Sequence, residues 1–149
     1  MSGSTKGCVV AIAVRTKKNG PMLEIDAASA AKNGGIESDL KSSPDRGITF
    51  ISSEQWREVQ DEFGVDLPWH TRRANVLTEG LALGTLFGKT LRVGTLEVHI
   101  IAETEPCGLM DKIHQGLQHV LTPECRAGVY GRVTKSGSFA VGDEIAVIA

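Results

Sequence analysis

Cys107 is the residue of this chain whose chemistry stands out most. It lies in the sequence Pro106-Cys107-Gly108, directly after an apolar-alternating stretch, residues 96–102, that predicts a β-strand. Pro106 lacks a backbone N–H and ends the strand pairing, while Gly108 lets the backbone turn and a ligand approach. The pattern predicts a thiol at the end of a strand, where its thiolate can carry sulfur or bind a metal atom. The alternative is a strand-end cysteine without reactivity.

A basic loop supplies the second group of candidates: Arg72, Arg73 and Asn75. A guanidinium group makes bidentate hydrogen bonds to phosphate, and an asparagine side chain both donates and accepts. The group therefore suits a phosphorylated, anionic ligand. The alternatives are a solvated basic loop and a structural role in which the two arginines form ion pairs with Asp39 or Asp45.

Positive charge is needed near Cys107 if its thiol is to react. The pKa of a peptide thiol is about 8.5, and the acidic neighbours Glu103 and Glu105 would raise it. We therefore expect cations from elsewhere in the fold to surround the sulfur. The candidates for this role are Arg72, Arg73, His70 and Arg126.

A long polar loop, residues 34–45, contains one more candidate, Asp39. Loops of this length are often functional. Asp39 could orient a ligand or an arginine, or it could be a turn aspartate that accepts backbone N–H groups. Cys8 and Cys125 are not expected to be catalytic, although Arg126 beside Cys125 would favour its thiolate.

Short strands separated by glycine turns must position these residues. The apolar patterns predict strands near residues 8–14, 21–25, 47–51, 90–93, 96–101, 127–133, 139–141 and 144–148. A helix is predicted over residues 53–63, with Ser52 or Ser53 as its cap and Gly64 as its end. Residues 109–121 have helical spacing weakened by Gly116, and residues 27–32 could form a helical turn. The prediction is a mostly β protein, a β-barrel with a few short helices.

Length and composition limit the classes of protein that remain. The 149 residues favour one domain, 1–149, with about six flexible residues at the N-terminus. A net charge of −2 disfavours general nucleic-acid binding. The longest apolar stretches are far shorter than a membrane span, and the first residues lack a secretory pattern, so we expect a cytoplasmic protein. Three cysteines without CxxC spacing indicate neither a disulfide framework nor a zinc site.

Several segments, taken in order, resemble the MOSC family, which is named for the C-terminal domain of molybdenum cofactor sulfurases. Ser38-Asp39 ends a segment similar to the family's Gly-x-x-Gly-Asp loop, with Ser38 at the usual glycine. Arg73-Ala74-Asn75 resembles its Arg-x-Asn motif, and Pro106-Cys107 resembles its Pro-Cys. The similar segments are residues 34–39, 46–51, 70–83, 88–94, 96–98, 106–107, 126–133 and 141–145.

The resemblance implies a barrel of the pyruvate-kinase-like type and a role in molybdenum cofactor metabolism. It implies that Cys107 carries sulfur or contacts the molybdenum of molybdopterin. The corresponding cofactor-binding candidates are Arg72, Arg73, Asn75, Arg126, Asp39 and His70. Such a protein could be a sulfur carrier or sulfurtransferase, or the small catalytic subunit of a molybdenum-dependent reductase of N-hydroxylated compounds.

Other readings stay open at this point. The chain could be a carrier module without turnover, or a structural domain that kept the fold and lost the activity. A sulfur donor or a redox partner would be a separate protein, because the chain is too short to include a pyridoxal-phosphate desulfurase and has no flavin or iron–sulfur motif. The sequence leaves open whether the chain is an enzyme.

Overall fold

The computed structural model describes residues 5–18, 20–64, 66–106 and 108–149. Over these residues the chain forms ten β-strands and three α-helices. The strands are β1 (Lys6–Arg15), β2 (Met22–Ile25), β3 (Ala27–Ala30), β4 (Ile48–Ser52), β5 (Val76–Glu79), β6 (Thr90–Val93), β7 (Leu96–Glu103), β8 (Val129–Lys135), β9 (Gly137–Ala140) and β10 (Glu144–Val147). The helices are α1 (Ser53–Phe63), α2 (Gly108–Ile113) and α3 (Leu117–Leu121). Short 3-10 helices lie at Pro44–Arg46, Trp69–Arg72, Leu83–Thr85 and Pro123–Cys125.

Seven of the strands close into a barrel. Their order is β10-β6-β7-β8-β4-β5-β1, and β10 pairs again with β1. Strand β2 extends this sheet from β1, and β3 pairs with β9 in a separate two-stranded sheet. Closure joins Lys6 to Ala146, which lie near opposite ends of the chain. The mostly β barrel with few short helices predicted from the sequence is confirmed.

The barrel interior is filled by the inward-facing side chains of its strands. Alternation along each strand places every second side chain inside. Along β7, for example, Leu96, Val98 and Ile100 are fully buried while the residues between them are partly exposed. The alternating pattern read from the sequence therefore marks the true core of the barrel.

A smaller core lies between the barrel wall and the helices. Helix α1 contributes Trp56 and Val59, which pack with apolar residues of α2, α3 and the barrel wall. Its ends are those predicted: the Ser52 hydroxyl accepts a hydrogen bond from the Gln55 N–H at 3.2 Å, and Gly64 takes a positive φ of 75°. Both features satisfy backbone groups that a helix terminus leaves unpaired.

Two local predictions are wrong. Residues 27–32 contain no helical turn, because Ala27–Ala30 form β3 and pair with β9. Tertiary pairing outweighs the helical preference of alanine here. Residues 109–121 form two short helices instead of one, because Gly116 has a φ of 92° and interrupts the helical path.

The predicted first hairpin forms, and strand structure begins close to the start of the chain. Strands β1 and β2 pair antiparallel as predicted, and the turn residue Asn19 lies outside the described residues. Lys6 already belongs to β1, so strand structure begins within the segment expected to be flexible. No helix in the described part of the chain is long and apolar enough to cross a membrane.

Candidate functional site

Four arginines converge on one small cavity at the side of the barrel. The cavity has a volume of about 180 Å³, and we call it the arginine cavity. Its lining residues are Arg15, Ser42, Arg46, Thr49, Arg72, Arg73, Thr104 and Met110. Two of the predicted candidates, Arg72 and Arg73, therefore lie together with two arginines that come from distant parts of the sequence.

Different elements deliver the four arginines. Arg15 is the last residue of β1, Arg46 ends the 3-10 helix Pro44–Arg46, and Arg72 ends the 3-10 helix Trp69–Arg72. Arg73 follows at once in the left-handed conformation, with a φ of 67°, and its N–H donates to the His70 carbonyl at 2.8 Å. A non-glycine residue in this conformation is uncommon. The chain reversal that it produces places Arg72 and Arg73 at the same cavity.

The charged side chains in the wall of this cavity are all positive in the part of the chain that the structure describes. Its lining residues within the described chain include four arginines and no carboxylate. Burial, and then the charge of Arg15, lower the pKa of Arg73, while Asp39 acts in the opposite direction. Cations held this close in a partly buried site favour an anion, which relieves their repulsion.

Asp39 holds one of these arginines from behind the cavity. Its Oδ1 accepts hydrogen bonds from the backbone N–H of Arg15 at 2.7 Å and from its Nε at 3.2 Å. Its Oδ2 accepts from Nη2 of the same arginine at 2.9 Å. The Asp39 side chain is only 1% exposed, so the contact is a buried, bidentate ion pair. Asp39 thus orients an arginine, which is one of the roles considered for it.

Asn75 fixes the carboxylate of Asp39 in turn. Its Nδ2 donates to Asp39 Oδ2 and to the Ala13 carbonyl, each at 3.2 Å. Its Oδ1 accepts from the backbone N–H and the hydroxyl of Thr49 at 3.0 and 3.1 Å. All four hydrogen-bonding positions of the amide are occupied within the protein. Asn75 is therefore placed to position β1, β4 and Asp39, with no hydrogen-bonding position left for a ligand.

Two of the remaining arginines are held by neutral partners. The Arg73 guanidinium donates to the carbonyls of Gly20 and Lys17, on the segment between β1 and β2. The Arg46 guanidinium lies 4.7 Å from the centre of the Tyr130 ring. Carbonyl and aromatic partners fix an arginine without neutralising it. These contacts therefore leave the charges of Arg73 and Arg46 in place.

The hydroxyl of Thr104, in the cavity wall, has no hydrogen-bond partner among the residues that the structure describes. Thr104 is 3% exposed, and its hydroxyl makes no hydrogen bond to any part of the chain that the structure describes. Its backbone is fixed, because its N–H donates to the Gly128 carbonyl at 2.8 Å. A buried hydroxyl without a partner is unfavourable by about 1–3 kcal/mol. Such a group at a cavity wall is well placed to satisfy itself on a bound ligand.

Cys107 itself lies outside the described residues, but its neighbours in sequence define the surroundings of this segment. Strand β7 ends at Glu103, before Pro106, as predicted. Thr104 and Met110, three residues to either side of Cys107, both line the arginine cavity. The Pro106 carbonyl accepts a hydrogen bond from Gln118 Nε2 at 3.1 Å, which ties this segment to α3.

His70 and Arg126 lie elsewhere among the predicted candidates. His70 lines a neighbouring cavity of about 330 Å³ that shares Arg73 with the first. Arg126 forms an ion pair with Glu62 of α1 and donates to the Val120 carbonyl. It does not line the arginine cavity. Arg126 thus connects the helical segments around Glu62 and Val120. His70 lies in the cavity next to the arginine cavity.

Asp39 and Asp45, considered as ion-pair partners of Arg72 and Arg73, each form an ion pair with another arginine. Asp39 pairs with Arg15, and Asp45 pairs with Arg132, whose Nε lies 2.9 Å from Asp45 Oδ1. Both carboxylates bind arginines, but neither ion pair contains a residue of the basic loop.

The thiols of Cys8 and Cys125 sit in surroundings that suppress the thiolate. Burial, and then the carboxylate of Glu79, raise the pKa of Cys8. Burial, and then the carboxylate of Glu103, raise the pKa of Cys125. The neighbouring Arg126 is engaged with Glu62. These surroundings disfavour the thiolate form of both cysteines. No group of three or more potential metal ligands is found among the residues described.

Sequence reasoning missed Arg15, Arg46 and Thr104. Arg15 ends an apolar strand, and its role depends on contact with Asp39, 24 positions later in the chain. Arg46 was recognised only as the first residue of a similar segment. Thr104 gave one usable signal, since it stands three residues before Cys107.

Comparison with known proteins agrees with this fold and this arrangement of segments. The class of protein is a closed β-barrel with four arginines lining one cavity at its side. The family model described as MOSC domain matches residues 37–146. The chain belongs to the MOSC domain family, as its resemblance predicted. A search of curated proteins finds no match.

Solved structures give the same architecture. The YuaD protein from Bacillus subtilis superposes with a TM-score of 0.81 at 19% identity, covering 94% of both chains. YiiM from Geobacillus stearothermophilus gives 0.78 at 17% identity, covering 96% of this chain and 75% of the other. YiiM from Escherichia coli gives 0.76 at 15% identity, covering 95% and 70%. At these identities the likeness establishes the fold alone.

Proposed function

We propose that the arginine cavity binds the anionic end of molybdenum cofactor or of a related phosphorylated ligand. The observation that carries this proposal is the presence of four arginines, and no carboxylate, among the described lining residues. Membership of the MOSC family, which is related to molybdenum cofactor sulfurases, supports the choice of ligand. Arg72 and Arg73 would contact the anion directly, and Arg15 would do so from the position that Asp39 gives it.

The cavity fits the charged end of such a cofactor. Its volume of about 180 Å³ is below the roughly 300–1,000 Å³ of pockets that enclose whole organic ligands. Guanidinium groups match the oxygens of a phosphate in geometry and charge. The Thr104 hydroxyl would gain in the complex the partner that it lacks in the described chain. Bound molybdenum cofactor would supply a redox-active, sulfur-binding metal centre.

Cys107 is the proposed carrier of sulfur beside this site. Its thiolate would attack the terminal sulfur of a persulfide on a donor protein. The sulfur–sulfur bond of the donor would break, the donor would leave as a thiolate, and Cys107 would keep the transferred sulfur atom. Arginine charge in the cavity that Thr104 and Met110 line would favour the thiolate that this step requires. The donor, and any electron source for a reductase, would be separate proteins.

The test is native and denaturing mass spectrometry of protein produced together with the molybdenum cofactor synthesis pathway. We expect a bound cofactor that is lost in Arg72→Gln, and a sulfur adduct that is lost in Cys107→Ser. Matched controls are Arg92→Gln, an exposed arginine in another cavity, and Cys125→Ser. Equal retention of cofactor in Arg72→Gln and Arg92→Gln would contradict the proposed site. A sulfur adduct that survives Cys107→Ser would contradict the role of the cysteine.

A further inference from the structure

Strand β2 ends the eight-stranded sheet, and its outer edge has no strand partner in the part of the chain that the structure describes. An uncovered edge is a template for pairing with another strand. The Leu23 side chain in this strand is 53% exposed, more than any other large apolar side chain described. We propose that β2 pairs antiparallel with β2 of a second copy of this chain, so that two barrels share one continuous sheet. The proposal is independent of the anion site.

The hydrogen bonds of β1 show which groups of β2 are available. The N–H of Ala13 and the carbonyl of Arg15 form hydrogen bonds of 2.8 and 3.0 Å with segments on the side of β1 away from β2. Glu24 and Met22, which lie opposite these two residues, therefore point their own backbone groups away from β1. The free edge of β2 thus presents two N–H and two carbonyl groups.

A second copy can satisfy all four groups in one register. A two-fold axis at Leu23 places Met22 of each copy opposite Glu24 of the other, and each such pair exchanges two hydrogen bonds. The two Leu23 residues then form the non-hydrogen-bonded pair at the centre, where opposite side chains lie close and bury each other's surface. An axis at Glu24 would instead place two carboxylates directly opposite each other, which is unfavourable.

The charges around β2 complement a second copy in the same register. Asp26 is exposed and follows β2 directly. It would lie opposite Gly20 of the second copy, next to the exposed Lys17 and Lys18 of that copy's hairpin turn. The two-fold axis repeats this contact, so the interface gains two contacts between opposite charges.

Exposed valines extend the apolar surface beyond β2. The N–H of Val141 donates to the Asp26 carbonyl at 2.9 Å, and that of Gly142 donates to the Val9 carbonyl at 2.8 Å. These bonds hold Val141, which is 45% exposed, close to Val10, which is 38% exposed. A pair of four-residue strands buries much less than the roughly 1,200 Å² of a stable interface. The valines enlarge the contact, and we expect a weak dimer with a Kd of about 10–100 µM.

Sedimentation velocity at protein concentrations from about 5 to 500 µM brackets this Kd. We expect wild type to dimerise across the range. Leu23→Lys should weaken the dimer at least about tenfold, because it places two like charges opposite each other and removes the central apolar pair. Ile148→Lys is the matched control, since Ile148 is 40% exposed and lies beyond β10. A wild type that stays monomeric at the highest concentration, or a dimer that Leu23→Lys and Ile148→Lys affect equally, would overturn the proposal.

Charge reversal tests the register. Asp26→Lys should weaken the dimer about threefold, because it faces the lysines of the second copy. Adding Lys17→Glu and Lys18→Glu to Asp26→Lys should restore the wild-type affinity. A triple variant that dimerises no better than Asp26→Lys alone would exclude this register.

A cysteine at the two-fold axis tests the geometry directly. In a chain whose three native cysteines are replaced by serine, Leu23→Cys places two thiols in a non-hydrogen-bonded antiparallel pair, a spacing that a disulfide spans. Oxidised glutathione, which takes up the two electrons, should convert most of this variant to a linked dimer on a non-reducing gel. Ile148→Cys should remain largely monomeric. Equal linking of the two cysteine variants would show that the contact is random collision and that β2 is not the interface.

Discussion

Two cavities of this barrel differ in the charge of their walls, and the smaller one has the more distinctive charge. The wider one, of about 750 Å³, lies between the two-stranded sheet of β3 and β9 and the barrel strands β6 and β10. Its wall includes Arg92 but also Glu37, Asp143 and Glu144. The arginine cavity has about 180 Å³, four arginines and no carboxylate among the lining residues described. The larger space has mixed charge, and the smaller has charge of one sign.

The polar groups of the two walls also differ in their hydrogen bonds. In the wide cavity, Asp143 accepts from the Ala140 N–H at 2.8 Å, and the Thr95 hydroxyl exchanges hydrogen bonds with the Ser138 backbone. In the arginine cavity, the buried Thr104 hydroxyl has no partner within the described chain. Polar groups that hydrogen-bond to one another within a cavity wall need no ligand. Like charges held together and a buried hydroxyl without a partner favour the binding of one. This difference is why we assign the function to the smaller cavity.

The largest expected effect is on stability. Asp39, which lies behind the arginine cavity, should contribute more to the free energy of unfolding than Asp143, which lies in the wall of the wide cavity. Asp39→Ala should lower the free energy of unfolding by about 3 kcal/mol, because it removes a buried carboxylate and leaves the Arg15 guanidinium without its ion-pair partner. Asp143→Ala should lower it by about 1 kcal/mol, because it removes one partly exposed hydrogen bond. Urea unfolding of both variants measures the two values. Equal losses would mean that Asp39 is no more structural than a turn aspartate.

The three cysteines are expected to differ in their rates of alkylation. Modification by iodoacetamide at pH 7.5, mapped by peptide mass spectrometry, should label Cys107 at least about tenfold faster than Cys8 or Cys125. Burial and a carboxylate raise the pKa of each of the latter two, so their labelling rates should still be rising above the ordinary thiol pKa of about 8.5. Glu103→Gln should accelerate labelling of Cys125 and leave Cys8 unchanged. Similar rates for all three thiols at pH 7.5 would remove the case for an activated Cys107.

Two buried threonines test whether the unsatisfied hydroxyl belongs to a ligand site. Thr104→Val should raise the free energy of unfolding by about 0.5–1 kcal/mol, because a methyl group replaces a hydroxyl without a partner. The same change should weaken phosphate binding about fivefold. Thr78→Val is the control: its hydroxyl donates to the Ile51 carbonyl at 3.3 Å, so its loss should destabilise by about 1 kcal/mol without changing phosphate binding. Destabilisation by both variants would show that Thr104 is satisfied in the free protein.

Much of the barrel could be predicted because its signals are local. A short apolar run marked β1, alternating apolar residues marked β6 and β7, and a serine cap with a terminal glycine marked α1. The failures arose where distant pairing decided the structure. The alanines of residues 27–32 predict a helical turn, yet residues 27–30 form a strand because β9, near the other end of the chain, pairs with them. Local composition contains no information about that partner.

The candidate site divides in the same way. Arg72, Arg73 and Asp39 could be found because they stand in short motifs of charged and polar residues. Arg15 could not, because nothing near it in sequence distinguishes it from a strand-end arginine, and only the fold brings it to Asp39. The role of Asn75 also depends on residues distant in sequence. Its motif predicts ligand binding, but its side-chain amide is fully hydrogen-bonded to Thr49, Ala13 and Asp39.

The smallest expected effect concerns Asp45, the other carboxylate considered as a partner for the basic loop. Asp45 and Arg132 are 54% and 40% exposed, and an ion pair in water gains little because solvent screens it. Asp45→Asn should therefore change the free energy of unfolding by less than about 0.5 kcal/mol. Phosphate affinity should also be unchanged, because neither residue lines the arginine cavity. Paired titrations of Asp45→Asn and Asp39→Ala provide the measurement. A loss of phosphate affinity in Asp45→Asn as large as that in Asp39→Ala would mean that the cavity depends on the charge of the whole loop, and not on the arginine that Asp39 holds in place.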